Sequence, residues 1–266
     1  MPSNKVLQES RMTNSKNSIV DDAIKPTGQN IPMIIGAQDS HGTLRDALAQ
    51  HKPCLVLDAA CGEGALARFL IELGWDVQCA DIFPELFKIE NISCRKANLN
   101  HTLPFADASF DAVICANAIH RLYNPAGACR EFHRILRPGG RLFMNANNFA
   151  SIDMRLRFLI YGSIDIRDRS IEEGIDPVGD PEGNVRIRVM FPQIMQYLEA
   201  AGFVIQSVDP AAVRLKHKIL RPVAWLIWFL SQLLPAKKRR RNYTAYTNGS
   251  AILRGGHYVL IQATKL

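Results

Sequence analysis

Short apolar runs alternate with helical patterns of apolar residues along most of the chain after residue 53. This alternation is typical of βαβ units, in which a helix joins two parallel strands of one sheet. It predicts strands at residues 54–58, 77–80, 93–97, 110–115, 141–145, 203–208 and 257–263. The pattern therefore indicates an α/β domain built on a parallel sheet.

A helix is predicted at Ala65–Leu73, directly after the first strand. Phe69 and Leu70 follow Leu66 at spacings of three and four residues, which places all three on one helical face, and Gly74 ends the helix. Further helices are predicted at residues 126–136, 152–161 and 191–201, and residues 85–89 are predicted to be helical or irregular.

The start of the chain differs from the rest. Residues 1–30 are rich in Asn, Ser, Lys and Gln and show no sustained apolar period, so we expect a flexible N-terminal extension. Residues 31–266 are then predicted to form one domain. Two less regular segments, at about residues 148–190 and 214–250, are interpreted as insertions in it.

The composition allows a large core, because 47% of the 266 residues are hydrophobic. The formal net charge of +7 is concentrated near the C-terminus, in Lys216–Arg221 and Lys237–Arg241. No apolar stretch of a secretory signal follows the first residue, which favours the cytoplasm. The cysteines form no C-x-x-C pair and the histidines no H-x-x-x-H pair, so we expect structural thiols and no metal site.

A candidate ligand site lies in the turn from Asp58 to Gly64, between the first strand and its helix. Gly62 and Gly64 lack the side chains that would keep the backbone away from a ligand lying across this turn. Asp81 ends the second strand, about where nucleotide-binding sheets place a carboxylate for ribose hydroxyls. Two carboxylates with glycines between them predict a nucleoside site at one edge of the sheet.

Residues 55–67, 98–111 and 132–140 carry ordered motifs that extend this pattern. The first segment resembles motif I of the class I S-adenosylmethionine-dependent methyltransferases, and Asp81 resembles the acidic end of their second strand. The second is similar to the D-x-x-x-L-P-F-x-D-x-S-F-D pattern before their fourth strand, and the third to R-x-L-K-P-G-G before their fifth. The chain is thus identified over residues 53–147 as similar to the methyltransferase type 11 group.

The resemblance implies a Rossmann-like, doubly wound sheet of seven strands, mostly parallel with the last strand antiparallel. It also implies S-adenosylmethionine as the cofactor. Asp58 and the backbone of Ala60, Gly62 and Gly64 would line the methionine part of this cofactor, and Asp81 would bind its ribose hydroxyls.

The resemblance assigns the adenine contacts to other positions. Ile82 would pack on the adenine, Asn98 and Leu99 would contact its edge, and Asn117 would also belong to the cofactor site. Two positions depart from the family pattern. Ala60 replaces the usual first glycine, and Asn98 stands where Asp is common, although an amide oxygen still accepts from the adenine amino group.

A dinucleotide-dependent enzyme is the main alternative, because Gly62, Gly64 and Ala67 also fit the looser G-x-G-x-x-G/A fingerprint. Asp58 would then place a negative charge near a pyrophosphate, where repulsion is costly. In a methyltransferase the same carboxylate faces the cationic end of the cofactor. The charge therefore favours S-adenosylmethionine.

Asn117 and His120 follow the fourth strand at the carboxyl edge of the sheet, where open α/β sheets bind ligands. Methyl transfer mainly requires alignment and exclusion of water, and it needs a base only for a protonated nucleophile. His120 is the candidate catalytic base. The alternative is that His120 lies at the rim of the site without a chemical role.

The acceptor is predicted only as a class. Residues 117–120 lack the N/D-P-P-Y/F tetrad of methyltransferases that act on base amines, so a nucleic acid is not the expected acceptor. The apolar segment Ile219–Pro235 is too short to span a bilayer. The apolar segment and its basic flanks, residues 216–241, are consistent with contact with a membrane surface. They are equally consistent with packing against the sheet or against a second subunit.

Two hypotheses about function follow. The first is an enzyme that transfers a methyl group to oxygen or carbon of a small-molecule or lipid-linked acceptor, in the cytoplasm or at the inner face of the membrane. The second is a regulatory or scaffold protein that binds the cofactor in the same fold and has lost the transfer reaction.

Overall fold

The computed structural model describes residues 38–163, 189–211, 213 and 219–266. The strands are β1 (Leu55–Ala59), β2 (Asp76–Asp81), β3 (Cys94–Lys96), β4 (Phe110–Cys115), β5 (Leu136–Asn147), β6 (Phe203–Ala211) and β7 (Tyr258–Lys265). The helices are α1 (Gln38–Ala49), α2 (Ala65–Glu72), α3 (Pro125–Ile135), α4 (Ile152–Tyr161), α5 (Phe191–Ala200), α6 (Arg221–Gln232), α7 (Ala236–Arg241), α8 (Thr244–Thr247) and α9 (Ser250–Leu253).

All seven strands belong to one sheet, in the order β3-β2-β1-β4-β5-β7-β6. The first five strands run parallel to one another. Strand β7 inserts antiparallel between β5 and β6. This topology confirms the predicted fold class, including the antiparallel last strand.

Buried side chains lie on both faces of the sheet, because successive residues of a strand point to opposite sides. In β1, Val56 packs in a cluster with Leu44 of α1 and Leu70 of α2. Its neighbour Leu57 packs in the other cluster, with Phe132 of α3. Helices on both faces make the domain doubly wound.

Local signals explain where the helices around the site begin and end. Asn124 caps α3, since its side chain accepts from the backbone N–H of Gly127 at 3.0 Å, and Pro125 opens the helix. Helix α2 is followed by Gly74, whose φ of 82° lies in the left-handed region.

The register of the parallel strands brings the candidate site residues to one edge. Asp58 of β1 pairs with Cys79 of β2. Asp81 follows Cys79 by two residues in β2 and pairs with Lys96 of β3. Asp58 also pairs with Ile114 of β4, so Asn117 follows at the same carboxyl edge. The topology therefore places residues that are distant in sequence around one crevice.

Several predicted bounds differ from the structure. The bounds of β4 and α4 agree with the prediction. Strand β5 begins at Leu136 rather than at residue 141, because residues 137–140 form an irregularity within the strand instead of a turn before it. Helix α1 was not predicted as an element. The proposed extension 1–30 and residues 164–188 and 214–218 of the insertions lie outside the described residues.

Candidate functional site

The turn between β1 and α2 adopts left-handed backbone at three positions that the sequence singled out. The φ angles are 73° at Ala60, 54° at Gly62 and 93° at Gly64. Glycine reaches this region without strain, whereas Ala60 holds an L side chain in it. The turn is thus a tight reversal that brings backbone to the carboxyl edge of the sheet.

Asp81 ties this turn to the end of β2. Its carboxylate accepts hydrogen bonds from the backbone N–H of Gly62 at 2.8 Å and from that of Phe83 at 3.0 Å. A carboxylate has about four lone-pair sites, so two such bonds leave capacity for hydroxyl donors. Asp81 therefore holds the glycine turn and can still accept from a diol.

Asp58 is the most unusual group of the site. It is only 1% exposed, and among the described residues neither carboxylate oxygen finds a hydrogen-bond donor. Burial, and then the nearby charge of Asp81, raise its pKa to about 7. A buried carboxylate without a partner is costly unless a cation neutralises it, so the site fits a ligand with a positive charge.

Close packing against the chain after β2 leaves no room for a side chain at Gly64. A Cβ at this position would lie 2.6 Å from Phe87 Cε2 and 2.7 Å from Ile89 Cγ1. An ion pair of 2.8 Å between Lys88 and Glu63 joins the segment that contains Phe87 and Ile89 to the glycine turn. Gly64 thus makes room for the chain after β2, and its predicted approach to a ligand stays a prediction.

The three residues expected at the adenine occupy the loops after β2 and β3. Ile82 is half-buried directly after β2, and Leu99 is buried in the core at 6% exposure. The side-chain oxygen of Asn98 accepts from the backbone N–H of Asn100 at 2.9 Å and from its side chain at 3.1 Å. Asn98 therefore shapes its own loop, and its contact with adenine stays a prediction.

Asn117 and His120 lie where the sequence placed them, after β4. Asn117 adopts a left-handed φ of 55°. His120 is half-buried in the 3₁₀ turn Ile119–Arg121. The structure thus brings both residues to the carboxyl edge, while a role for His120 as a base stays a prediction.

His41 is a residue of this region that the sequence reasoning missed. It projects from α1 and is 8% exposed, and its Nε2 atom accepts from Asn117 Nδ2 at 3.2 Å. Burial, and then the charge of Arg45, lower its pKa, so the imidazole is neutral near pH 7. The spacing of Leu44 and Leu48 could have signalled a helix, but nothing local links His41 to Asn117.

Three free thiols adjoin the glycine turn on the side of β2 and β3: those of Cys61, Cys79 and Cys94. The sulfur atoms of Cys61 and Cys94 are 3.4 Å apart. A hydrogen bond with Cys79, followed by burial, raises the pKa of Cys61. The raised pKa favours the neutral thiol of Cys61, which packs beside the glycine turn.

Comparisons with known proteins agree with this geometry. A family profile described as a methyltransferase domain matches residues 57–144. An uncharacterised methyltransferase of Mycobacterium tuberculosis is 35% identical over 142 residues, which are 52% of this chain and 52% of the relative. A ubiquinone biosynthesis O-methyltransferase of Xanthomonas oryzae is 31% identical over 102 residues, 35% of this chain and 43% of the relative. The chain thus spans about half the length of these curated relatives.

Solved structures support the fold. A methyltransferase from Archaeoglobus fulgidus, described as S-adenosylmethionine-dependent, superposes with a TM-score of 0.54 at 16% identity, covering 85% of this chain and 92% of the other. The matched segment 57–144 contains the glycine turn, both carboxylates and His120. Residues 57–144 therefore match a methyltransferase domain, and the sheet around them has the fold of an S-adenosylmethionine-dependent methyltransferase.

Proposed function

We propose that this chain transfers a methyl group from S-adenosylmethionine to oxygen or carbon of a small-molecule or lipid-linked acceptor. The observation that carries the proposal is Asp58, a buried carboxylate without a described partner, at the end of β1 and beside the glycine turn. The described protein groups provide no hydrogen bond that would compensate the burial of this carboxylate. A cationic ligand would supply the missing partner.

Each residue of the site has a physical task in this proposal. Asp58 faces the cationic part of the cofactor, and Asp81 accepts from the ribose hydroxyls while holding Gly62 in place. Bound S-adenosylmethionine would supply a methyl group on a cationic sulfonium; the acceptor would take this methyl group in line, and neutral S-adenosylhomocysteine would be the leaving group. The protein then has to align the acceptor and exclude water, and His120 takes the proton of a hydroxyl acceptor.

The acceptor class rests on two observations. The Xanthomonas relative is named for ubiquinone biosynthesis and O-methylation, which suggests a phenolic acceptor for this chain as well. The described part of the chain also exposes several large apolar side chains, among them Trp225, Phe229 and Leu233. An acceptor with a lipid tail would account for them.

Titration calorimetry tests the cofactor assignment. We expect S-adenosylhomocysteine and S-adenosylmethionine to bind, and NAD to give no heat, because a pyrophosphate would meet Asp58. Absence of heat for both sulfur nucleosides would overturn the proposal.

Radiolabelled S-adenosylmethionine then tests transfer. We expect labelled product with catechols or hydroquinones, with and without an isoprenoid tail. His120→Gln should lower the rate most at low pH for a hydroxyl acceptor and leave the binding of S-adenosylhomocysteine unchanged. Binding without product across the whole acceptor panel would contradict transfer and favour a cofactor-binding scaffold.

A further inference from the structure

Helix α6 turns small side chains toward the domain and large apolar side chains outward. Ala224 and Ser231 are buried, at 3% and 4% exposure, whereas Trp225 is 62% and Leu233 is 70% exposed. A helix that packs on a core normally has the opposite arrangement. The outward side chains of α6 therefore contribute little to holding this domain together.

Four exposed apolar residues of α6, with Leu233 at its C-cap, form one continuous face, which the exposed Val223 and Trp228 extend on either side. At 100° per residue, the helical positions 225, 226, 229, 230 and 233 fall within an arc of about 140°. We call these residues the outer face of α6; they are Trp225, Leu226, Phe229, Leu230 and Leu233, and all are exposed. The rings of Trp225 and Phe229 stack, with centroids 5.6 Å apart and 13° between their planes.

A cluster of cations follows the outer face directly. Helix α7 contains five consecutive basic residues, Lys237–Arg241, and Arg239 donates to the side-chain oxygen of Gln232 at 2.8 Å. This bond joins α7 to the last turn of α6. No Asp or Glu follows Asp209 in the sequence, and no ion pair between these cations and a carboxylate is found in residues 38–163, 189–211 and 219–266.

The combination matches the two layers at the surface of an anionic bilayer. Aromatic and leucine side chains favour the acyl boundary, and Lys and Arg favour the phosphate head groups. A nucleic acid would pair with the cations but leave the outer face in water. A second copy of the chain would cover the outer face but bring two cationic clusters together without acidic residues to pair them.

The dimensions of α6 determine how it would meet the bilayer. Its 12 residues span about 18 Å at 1.5 Å per residue, less than the ~30 Å hydrocarbon core. Across the described ranges, no helix is long and apolar enough to cross a membrane. We propose that the outer face of α6 and the cations of α7 dock the protein on a bilayer surface containing anionic phospholipids, with α6 lying in the plane of the interface.

Docking would place a cavity of the protein at the bilayer. A cavity of about 610 Å³ lies along the first half of α6 and is lined by Trp225, Trp228, Arg221 and Arg254, among others. Trp225 thus belongs to both the outer face and the cavity wall. The indoles and guanidinium groups suit an amphiphile with a negative or polar head, which agrees with a lipid-linked acceptor.

The test uses the purified full chain and vesicles of phosphatidylcholine, with or without about 30% phosphatidylglycerol. We expect flotation with the anionic vesicles, at least about tenfold stronger than with neutral ones, and weaker at about 0.5 M than at about 0.1 M NaCl. Tryptophan emission should shift to shorter wavelength on binding. Of the three tryptophans, Trp75 is already buried at 5% exposure, so the shift reports on Trp225 and Trp228.

Two pairs of variants separate the apolar and ionic contributions. Trp225→Ser with Phe229→Ser should lower vesicle binding by about tenfold or more, whereas Ile71→Ser with Leu73→Ser, two exposed apolar residues at the end of α2, should leave it unchanged. Lys237→Gln with Arg240→Gln should weaken binding to anionic vesicles by about tenfold or more. The matched control is Lys52→Gln with Arg130→Gln, exposed cations elsewhere on the domain.

Several outcomes would overturn the proposal. The first two are the absence of flotation, and equal flotation of the wild type and of the variant with Trp225→Ser and Phe229→Ser. The third is that the wild type forms a concentration-dependent dimer and this variant stays a monomer. Salt-sensitive binding of RNA with no binding of vesicles would also overturn it. The vesicle assay needs neither cofactor nor acceptor, so its failure is distinct from a failure of the methyl-transfer proposal.

Discussion

His41 Nε2 lies 3.2 Å from Asn117 Nδ2, and this hydrogen bond joins α1 to the residue that leaves the carboxyl end of β4. The imidazole is buried and its pKa is lowered by burial and then by Arg45, so it accepts this bond as a neutral group. Helix α1 is thereby part of the rim of the candidate site.

His41→Ala should lower the free energy of unfolding by about 1–3 kcal/mol, because it removes a buried imidazole and its hydrogen bond with Asn117. His41→Gln, whose side-chain oxygen can accept, should retain most of the stability. Urea denaturation measures both. His101→Ala is the control: it removes an exposed hydrogen bond of 3.0 Å to Tyr123 and should cost less than about 0.5 kcal/mol. Equal losses for the two alanine variants would contradict the buried role of His41.

Asp81→Ala should weaken the binding of S-adenosylhomocysteine by about 1–3 kcal/mol, or roughly 5- to 150-fold, if its carboxylate accepts from the ribose and holds Gly62. Asp76 opens the same strand and is exposed, so Asp76→Ala should leave the affinity unchanged. Calorimetry of the three proteins gives the comparison. Unchanged affinity in Asp81→Ala would remove this residue from the site.

Asp58 should make the protein without cofactor less stable as the pH rises. Its pKa is raised from 3.8 to about 7, first by burial and then by Asp81. Between these values the folded state keeps a proton that the unfolded state has released, so stability is lost as pH rises toward 7. From about pH 5.5 to about pH 7 this effect amounts to roughly 2 kcal/mol.

Asp58→Asn removes the buried charge and should flatten this pH dependence while weakening the binding of S-adenosylmethionine. Denaturant midpoints of the wild type and the variant, measured across this pH range, check the first effect, and calorimetry checks the second. Asp76→Asn, at an exposed position, serves as the control. Parallel pH profiles of the wild type and Asp58→Asn would show that Asp58 titrates normally.

Gly64→Ala should destabilise the protein more than Gly74→Ala. Both glycines have left-handed φ, at 93° and 82°, but a Cβ at Gly64 meets Phe87 and Ile89 whereas a Cβ at Gly74 meets nothing within 4 Å. Backbone strain of about 1 kcal/mol is common to both. Overpacking should add about 1–3 kcal/mol at Gly64 only.

Adding Phe87→Ala should recover part of the loss in Gly64→Ala, because it removes the closest obstructing ring. The free energies of unfolding of the single and double variants form a cycle that measures this coupling. Additive effects on the free energy of unfolding would mean that the Phe87 ring is not what opposes a side chain at position 64.

Local patterns predicted much of the sheet. The bounds of β4 and α4 agree with the prediction, because the patterns that indicate these two elements lie within short stretches of sequence. The length of β5 was missed, since a turn signal such as Pro138–Gly140 looks the same whether the chain reverses or bulges within a strand. The pattern of small and large residues in α6 likewise does not show which face the domain covers.

The sequence by itself determined the alternation of strands and helices, the two strand-end carboxylates and the glycine turn between them, because these depend on residue type and short spacing. Only the tertiary structure decided that Asp58 lacks a described partner, that Gly64 admits Phe87, that His41 reaches Asn117 and that α6 faces outward. Each of these depends on groups brought together across the chain. Burial, electrostatic interactions and steric contacts are properties of such neighbours, and no local sequence pattern encodes them.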